Sequence, residues 1–441
     1  MKPKEACVLQ TSFFASLDRT GRMCYSWNRS DRNEVLAMFP LKEKRIRLGG
    51  WWSTDPALIS DGYVQKIAET GCDFIMSSQL RDTEKINALL TCCDKYGVEC
   101  VVFDERIYDN ADIDIGAVTR EYAHHPSYVG NMVKDEPGVT QFDHLRRVYD
   151  RFRAQTPGKD AYINLLPMYA STAQLEYGAD VQAIEYYETK GTTYGEHLEA
   201  YCLKFDTPYI CVDVYPCRTA EDGVTRTIYP GYLENLSQIA SCCRKYDREM
   251  WIMVQDLVWY QPAREPDDTD LRWQFWTVLS FGVKAIFHYC LATPPGHTDG
   301  LLNAAGERSP LFYTAKGFHR FLKSIEDIYL SYRNTGAFTV NGREDLPHLQ
   351  FAEQKTDFTP IREIRTESPL LVGCFEKEDG AAFTVVNMEP LSEGRTAQVS
   401  MTLQGREATI YTDSMPVTLP LTDGKCEFTL PCGEGCFITL K

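Results

Sequence analysis

The chain has 441 residues, of which 44% are hydrophobic and 24% are charged, a composition typical of a folded globular protein rather than a disordered or fibrous one. Its 46 basic and 62 acidic residues give a net charge of −16, which argues against nucleic acid or an anionic membrane as a partner, because both require a basic surface. No segment approaches the roughly 18 continuous apolar residues of a membrane span, and the N-terminal segment lacks a signal-peptide core. We therefore predict a cytoplasmic protein with no nucleic-acid or membrane partner, for which a homo-oligomer is possible.

The predicted elements begin after an N-terminal extension, residues 1–44, whose sequence fits neither of the two patterns that follow it. From residue 45 to residue 330, short apolar runs alternate with segments of helical periodicity. The runs are "IRLGGWW", "CDFIMSS", "ECVVFDE", "YVGNMVKDE", "DAYINLLP", "YICVDVYP", "MWIMVQDLVW" and "AIFHYC". Eight strand–helix cycles over about 280 residues have the size and order of a (β/α)8 barrel. A doubly wound open sheet is the alternative, but its glycine-rich GxGxxG turn is missing from "RLGGWW".

The pattern changes after the last predicted barrel helix. Residues 336–441 contain short runs of alternating polarity separated by turn signals, such as "TAQVSMTL", "ATIYTD" and "KCEFTL". This pattern predicts a small C-terminal all-β sandwich. The chain has no phosphate-binding loop and no Cys/His cluster with zinc spacing, so we predict neither a cofactor nor a metal.

The candidate site follows from the barrel, because active sites of this fold lie at the C-terminal ends of the strands. Carboxylates, amides and aromatic rings predominate there, whereas lysine is nearly absent. The candidates are Trp51, Trp52, Asp104, Asp135, Glu136, Asn164, Asp213, Tyr215, Gln255, Trp259, His288 and Tyr289. Carboxylates and amides bind sugar hydroxyls, aromatic rings cover the C–H faces of a sugar, and a carboxyl pair cleaves a glycosidic bond. We therefore predict a carbohydrate substrate.

Each candidate residue also has a purely structural interpretation. Trp51 and Tyr289 could pack inside the barrel, because large rings are often buried. Asp104 and Asp213 could cap the helices that follow their strands, and His288 could be a hydrogen-bonded core histidine. The functional interpretation depends on the convergence of polar groups at nearly all eight strand ends, which a purely structural barrel does not require.

Four segments resemble the large clan of retaining (β/α)8 glycoside hydrolases, in particular its β-galactosidase-like members and their uncharacterised relatives from gut bacteria. These segments are "GNMVKDEPG", "VDVYP", "FWTVLSFGVKAIFHY" and, in the sandwich, "FTVVNMEP". The resemblance covers most of residues 45–441 and implies that Glu136 is the general acid/base. Asp135 stands where the clan has an Asn that holds the sugar 2-hydroxyl. Gln255 stands where the clan has its nucleophilic Glu, and a carboxamide cannot form the glycosyl-enzyme ester.

The second carboxylate of the mechanism is therefore open, with Asp104, Asp213 and Asp256 as candidates. Side chains alternate along a strand, so Asp256 should face the helices if Gln255 faces the barrel mouth. In "VDVYP" the two valines suit the helix-packed face, which places Asp213 and Tyr215 toward the mouth. We predict Asp213 as the second carboxylate, separated from Glu136 by a gap that holds a water molecule and so not committed to a retaining course.

The same alternation restricts the acidic pair on strand four. Asp135 and Glu136 cannot both face the mouth unless the chain breaks its pleat, which we expect at Pro137.

Three functions fit this set of residues. The first is a glycoside hydrolase with Glu136 as acid. The others are a carbohydrate-binding protein without hydrolytic activity, which Gln255 favours, and another carbohydrate-active enzyme, such as a lyase or a transglycosidase.

Overall fold

The computed structural model describes residues 45–181, 188–258, 263–350 and 354–441, together with the paired strands Phe14–Leu17 and Met23–Ser26. Eight parallel strands follow one another along the chain from residue 47. They are β1 (Arg47–Trp51), β2 (Phe74–Leu80), β3 (Glu99–Asp104), β4 (Tyr128–Asp135), β5 (Asp160–Asn164), β6 (Tyr209–Asp213), β7 (Glu249–Gln255) and β8 (Ala285–Tyr289).

The eight strands close into a barrel. Hydrogen-bonded neighbours run from β5 through β4, β3, β2 and β1 to β8, β7 and β6. The remaining seam, between β5 and β6, is closed at its C-terminal end, where the Leu165 amide donates to the Cys211 carbonyl at 2.9 Å. The predicted (β/α)8 barrel is therefore confirmed, and the doubly wound sheet is excluded.

Helices follow every strand and cover the outside of the barrel. They are α1 (Asp61–Glu69), α2 (Thr83–Tyr96), α3 (Ile115–Thr119), α4 (Phe142–Gln155), α5 (Thr172–Tyr177), α6 (Tyr194–Lys204), α7 (Tyr232–Tyr246), α8 (Asp268–Ser280) and α9 (Pro310–Leu330). Local signals set their ends: the Asp82 carboxylate caps α2 by accepting from the Glu84 amide at 2.9 Å, and Gly97 ends this helix in the left-handed region. None of the described helices is long and apolar enough to cross a membrane.

Two apolar layers result from the alternation of side chains along the strands. The inner layer fills the barrel and is rich in large rings, with Trp251 stacked on Tyr209 at a centroid distance of 3.7 Å. The outer layer lies between strands and helices and contains the residues of opposite parity, such as Ile252 and Val254 on β7. The barrel is thus a packed core, and only its mouth can hold a ligand.

The C-terminal region is a sandwich of two antiparallel sheets, as predicted. One sheet has the order β9 (Arg333–Val340), β11 (Leu370–Lys377), β12 (Gly380–Asn387), β17 (Gly435–Leu440), β14 (Glu407–Tyr411) and β15 (Val417–Pro420). The other has the order β10 (Ile361–Arg365), β13 (Ala397–Leu403) and β16 (Lys425–Leu430). Their facing side chains form a separate apolar cluster.

The sandwich contacts the barrel through helix α8. The Ser280 and Thr384 hydroxyls are 2.7 Å apart across the contact. Glu434, in the turn before β17, accepts from both Arg272 and the Trp276 indole, the latter at 3.2 Å. Arg272 also donates to Asp413 at 2.8 Å. One arginine therefore connects the helix to two carboxylates of the sandwich.

The two carboxylates should contribute unequally to stability. Glu434→Gln removes a charge that accepts from two partners in a partly buried contact, and we expect it to lower the free energy of unfolding by about 1–3 kcal/mol. The matched variant Asp413→Asn removes the more exposed charge and should cost no more than about 1 kcal/mol. Equal losses in urea unfolding of the two variants would contradict this assignment.

Candidate active site

The acidic pair lies at the end of β4, where both carboxyl groups reach the barrel mouth. Asp135 is in register with Asn164 on β5, and the Glu136 amide donates to the Asn164 carbonyl at 2.9 Å. The backbone of Glu136 has a φ of +43°, in the left-handed region that residues other than glycine rarely adopt. The pleat is therefore broken, but at Glu136 itself and not at Pro137 as the sequence suggested.

The Pro-Gly dipeptide after the pair lets this strand end pack closely against another segment. A Cβ atom at Gly138 would lie 2.3 Å from the backbone nitrogen of Gly178, just beyond helix α5. The Glu136 carbonyl in turn accepts from the Ala179 amide at 3.1 Å. Gly138 is thus required for a close approach of two backbones, and this approach holds Glu136 in its unusual conformation.

Asn164 connects the carboxylates of neighbouring strands. Its Nδ2 donates to Asp213 Oδ1 at 2.9 Å and to Asp135 Oδ1 at 3.2 Å. Asn164 is only 3% exposed, and its buried Oδ1 has no hydrogen-bond partner among the described residues. A buried acceptor without a donor is costly, so this atom favours a ligand or water that donates to it.

The carboxyl groups of Glu136 and Asp213 lie within hydrogen-bonding reach of each other. Carboxyl groups are about 5–5.5 Å apart in retaining glycosidases and about 6.5–9.5 Å apart in inverting ones. A direct hydrogen bond leaves no room for a water molecule between the two groups. The wide gap expected from the sequence is therefore wrong for this structure, although Asp213 does face the mouth beside Glu136.

The three carboxyl groups have raised pKa values. Desolvation, followed by the charges of Asp213 and Asp135, raises the pKa of Glu136 well above its usual range. Desolvation and the charge of Asp213 raise the pKa of Asp135 to about 7. Desolvation raises the pKa of Asp213 to about 6, against the opposing hydrogen bonds from Asn164 and Glu136. Burial and the neighbouring carboxylates therefore favour the protonated form of Glu136 beside Asp213.

Aromatic rings surround this acidic cluster. Tyr215 contacts Tyr289 with ring centroids 4.9 Å apart. Burial, with further contributions from nearby groups that include all three carboxylates, raises the pKa of the Tyr289 hydroxyl. Trp52 follows β1 with a φ of +43° and, like Tyr289, lies on top of the inner apolar layer. The mouth thus combines acids with flat apolar surfaces, as the sequence suggested.

Tyr108 is a mouth residue that the sequence analysis missed. Its hydroxyl accepts from the Asp135 amide at 3.1 Å, and its ring packs on Phe103 and carries the Lys134 ammonium group 5.3 Å from its centre. It belongs to the loop after β3, four residues beyond the strand end. The aromatic side chain in "DERIYD" is a signal for it, but a survey restricted to strand ends does not reach that far.

Two predicted substrate ligands are wrong because their side chains face the helices. Asp104 is fully buried, and Arg106 donates to its Oδ1 through Nε at 3.0 Å and to its Oδ2 through Nη2 at 2.7 Å. His288 is also fully buried, with Nδ1 2.9 Å from an Asp256 oxygen and Nε2 3.0 Å from His319 of α9. Asp256 therefore faces outward, as the alternation predicted.

Gln255 faces the barrel axis but is not available to a substrate. Its Oε1 accepts from the Cys217 amide at 2.8 Å, and its Nε2 donates to the carbonyls of Arg264 at 3.0 Å and Leu257 at 3.3 Å. The side chain is fully buried beneath these loops. Its prediction as a substrate ligand is wrong, because its carboxamide joins the segments that follow β6 and β7.

The two remaining predicted tryptophans have different outcomes. Trp51 is 8% exposed and packs against Phe103 within the inner layer, at a centroid distance of 6.1 Å, so it supports the floor of the mouth. Trp259 lies outside the described residues, and its role stays a prediction.

Among the residues that are described, no group of three or more His, Cys, Asp and Glu side chains is arranged to hold a metal ion.

Comparisons with known proteins agree with this architecture. No protein-family model matches the chain, and no curated protein matches it in sequence. Among solved structures, it is similar to a glycoside hydrolase of family 5 from Bacteroides vulgatus, with a TM-score of 0.54 and 9% identity over 90% of this chain and 89% of that one. A structure titled "Glycoside hydrolase" gives a TM-score of 0.51 and 11% identity over 90% of this chain and 92% of that one.

A third similar structure is the β-galactosidase from the psychrophilic Marinomonas ef1, with a TM-score of 0.47 and 12% identity. That match covers 65% of this chain and 62% of the β-galactosidase. The two fuller matches show that this chain has the barrel-and-sandwich fold found in glycoside hydrolases. At such low identity they carry no information about its substrate.

The raised pKa of Asp135 predicts how stability depends on pH. Stability from a carboxyl group with a raised folded-state pKa is fully present below the unfolded-state pKa of about 3.9, and is lost as the pH rises through the folded-state pKa. For Asp135 that folded-state pKa is about 7.

Asp135→Asn cannot titrate, so its melting temperature relative to the unchanged protein should be higher at pH 8 than at pH 5. Between pH 5 and pH 8, the stability of Asp135→Asn relative to the unchanged protein should rise by about 1–2 kcal/mol. This figure includes a reduction for solvent screening at a half-buried group. A melting-temperature difference that stays constant between the two pH values would contradict this prediction.

The role of Gln255 predicts the effect of restoring a glutamate at the end of β7. In Gln255→Glu, a buried carboxylate faces two carbonyl oxygens, so we expect a loss of at least about 2 kcal/mol of stability and no gain in activity. Gln79→Glu makes the same change at an exposed position within β2 and should change stability by less than about 0.5 kcal/mol. Higher glycosidase activity in Gln255→Glu would contradict the structural role.

Proposed function

We propose that this protein is a glycoside hydrolase in which Glu136 is the general acid. The observation that carries the proposal is the place of Glu136 directly after β4, where its amide donates to the Asn164 carbonyl at 2.9 Å and its carboxyl group lies in the barrel mouth among Asp213, Asp135 and Tyr289. A general acid must be protonated at the working pH, and burial among like charges has this effect on a carboxyl group.

The chemistry follows from these positions. The protonated Glu136 donates to the glycosidic oxygen as the bond to the anomeric carbon breaks. Before this step Asp213, held by the Asn164 amide, accepts from Glu136 and orients its carboxyl group. Asp213 acts through Glu136 and is a positioning residue in this proposal. The aromatic surfaces of Trp52, Tyr215 and Tyr289 suit the apolar faces of a sugar ring.

A carbohydrate-binding protein without hydrolytic activity is the second candidate function. It is favoured by the state of strand β7, where Gln255 is engaged by backbone groups and Asp256 faces His288. The end of this strand therefore directs no carboxylate into the mouth. The two functions differ in one observable, which is the release of sugar.

The test is hydrolysis of a panel of aryl glycosides and oligosaccharides by the purified protein and by Glu136→Gln. Loss of the proton donor should lower kcat by about 10²–10⁴-fold, while calorimetric binding of the released sugar persists. The control Glu105→Gln changes the exposed carboxylate at the end of β3 and should leave kcat unchanged. Sugar binding without turnover in the unchanged protein would favour the second function, and full activity of Glu136→Gln would refute the assignment of the acid.

A further inference from the structure

The described part of the barrel mouth has its carboxylates on one side only. Asp135 and Glu136 come from β4 and Asp213 from β6, which flank β5 in the barrel wall. On the other side, β7 contributes a carboxamide held by backbone groups, and β8 and β1 contribute Tyr289 and Trp52. Residues 259–262, after β7, read "WYQP" and contain no carboxylate.

This distribution bears on how the glycosidic bond is broken. An enzymatic nucleophile must approach the anomeric carbon from the face opposite to the acid. Asp213 is hydrogen-bonded to the acid itself, and Asp256 faces the helices. Among the described residues neither of these two carboxylates is placed to attack, which makes water and the substrate itself the candidates for the attacking group.

Asp135 is suited to hold a donor group of the substrate. Its Oδ1 accepts from Asn164, and its Oδ2 has no hydrogen-bond partner among the described residues. Asp135 is half-buried and adjoins Glu136 in the chain, so this oxygen is available to a ligand that contacts the acid. A carboxylate accepts but does not donate, so Asp135 requires a donor such as an N–H or an O–H, whereas the amide expected from the clan resemblance could also bind an acceptor.

A second group near Asp135 is suited to an acceptor. The Tyr108 oxygen receives the Asp135 amide hydrogen, so its own hydrogen is directed elsewhere. In the described part of the chain, that hydrogen has no acceptor within hydrogen-bond distance. The Asp135 carboxylate is an acceptor and the Tyr108 hydroxyl is a donor, and a 3.1 Å hydrogen bond from the Asp135 amide joins the two residues. Together they match the N–H and the C=O of an amide.

From this arrangement we propose that the substrate is a glycoside of a 2-acetamido-2-deoxy sugar, whose own acetamido oxygen is the nucleophile while Asp135 accepts the amide N–H. The inference rests on the proposed hydrolase function and specifies its substrate class. When the substrate carries the nucleophile, no side chain from the opposite strands has to attack the anomeric carbon. An intramolecular attack also gains from proximity.

The steps balance without any further reactant except water. The acetamido oxygen forms a bond to the anomeric carbon as the glycosidic bond breaks. The electron pair of the glycosidic bond goes to the leaving oxygen, which takes the proton of Glu136. The amide becomes a cyclic oxazolinium ion whose N–H is held by the Asp135 carboxylate. Water then attacks the anomeric carbon and gives a proton to Glu136. The bond between the anomeric carbon and the former acetamido oxygen breaks, which opens the oxazolinium ring and restores the acetamide.

The decisive experiment compares 4-nitrophenyl β-glycosides of N-acetylglucosamine and N-acetylgalactosamine with the corresponding glucoside and galactoside. We expect hydrolysis of the acetamido sugars only. Replacing the acetyl group by fluoroacetyl, difluoroacetyl and trifluoroacetyl groups withdraws electrons from the attacking oxygen, and kcat should fall by at least about tenfold along the series. Asp135→Asn should lower kcat on the acetyl substrate, whereas Glu105→Gln should not.

The outcomes separate the two proposals. Hydrolysis of the glucoside or galactoside at the same rate as the acetamido sugars, or a kcat that is insensitive to fluorination, would overturn the substrate-assisted reaction and leave the hydrolase function standing. Turnover of none of the aryl glycosides or oligosaccharides would overturn both. A steep fluorine dependence with retained activity in Asp135→Asn would overturn the role of Asp135 alone.

Discussion

The site depends on one carboxamide, that of Asn164, which keeps three acidic side chains within a single hydrogen-bond network. Its two N–H groups go to Asp135 and Asp213, and Asp213 accepts from Glu136. Three carboxylates so close cannot all be ionised at neutral pH, so at least one proton is retained among them. The network thus supplies an acid at a pH where an isolated carboxyl group would have lost its proton, and it does so at a cost in stability that the barrel must offset.

The outer layer keeps the strand ends in place against this repulsion. Behind β8, His319 Nδ1 lies 2.9 Å from the Thr70 carbonyl and must donate, so its Nε2 accepts from His288. His288 Nδ1 faces Asp256, and one further proton is shared between that carboxylate and the imidazole. Every polar side-chain atom in this buried series of hydrogen bonds therefore has a partner, and the series connects the ends of β7 and β8 to helix α9. These residues support the site from behind and do not contact its ligand.

Alternation along the strands accounts for what could be predicted from the sequence. The eight apolar runs predicted the barrel, and the valines around Asp213 correctly placed that side chain in the mouth. The same rule, applied to β3 and β8, would have turned Asp104 and His288 outward, because Phe103 and Phe287 next to them fill the inner layer. The survey of strand ends treated every polar residue there as a ligand, and its errors came from that step.

Other features depend on contacts that sequence periodicity does not encode. Gln255 has the parity of a mouth residue, but loops from two distant segments close over it and use its whole carboxamide. The left-handed conformation of Glu136 depends on the approach of Gly178 to Gly138, 40 residues apart in the chain. Neither contact has a local signal.

Asp135, at the position where the resemblance implies an asparagine, is the feature with the largest chemical consequence. An asparagine beside the acid can both donate to and accept from a sugar 2-hydroxyl, whereas an ionised aspartate only accepts. The same chain also lacks the glutamate of strand seven, and Gln255 is committed to the backbone. Asp135 on β4 and Gln255 on β7 are thus two separate departures, on different strands, from the pattern that the resemblance implies. A substituent on carbon 2 that donates through nitrogen and attacks through oxygen accounts for both, since it needs an acceptor where Asp135 lies and needs no nucleophile from β7.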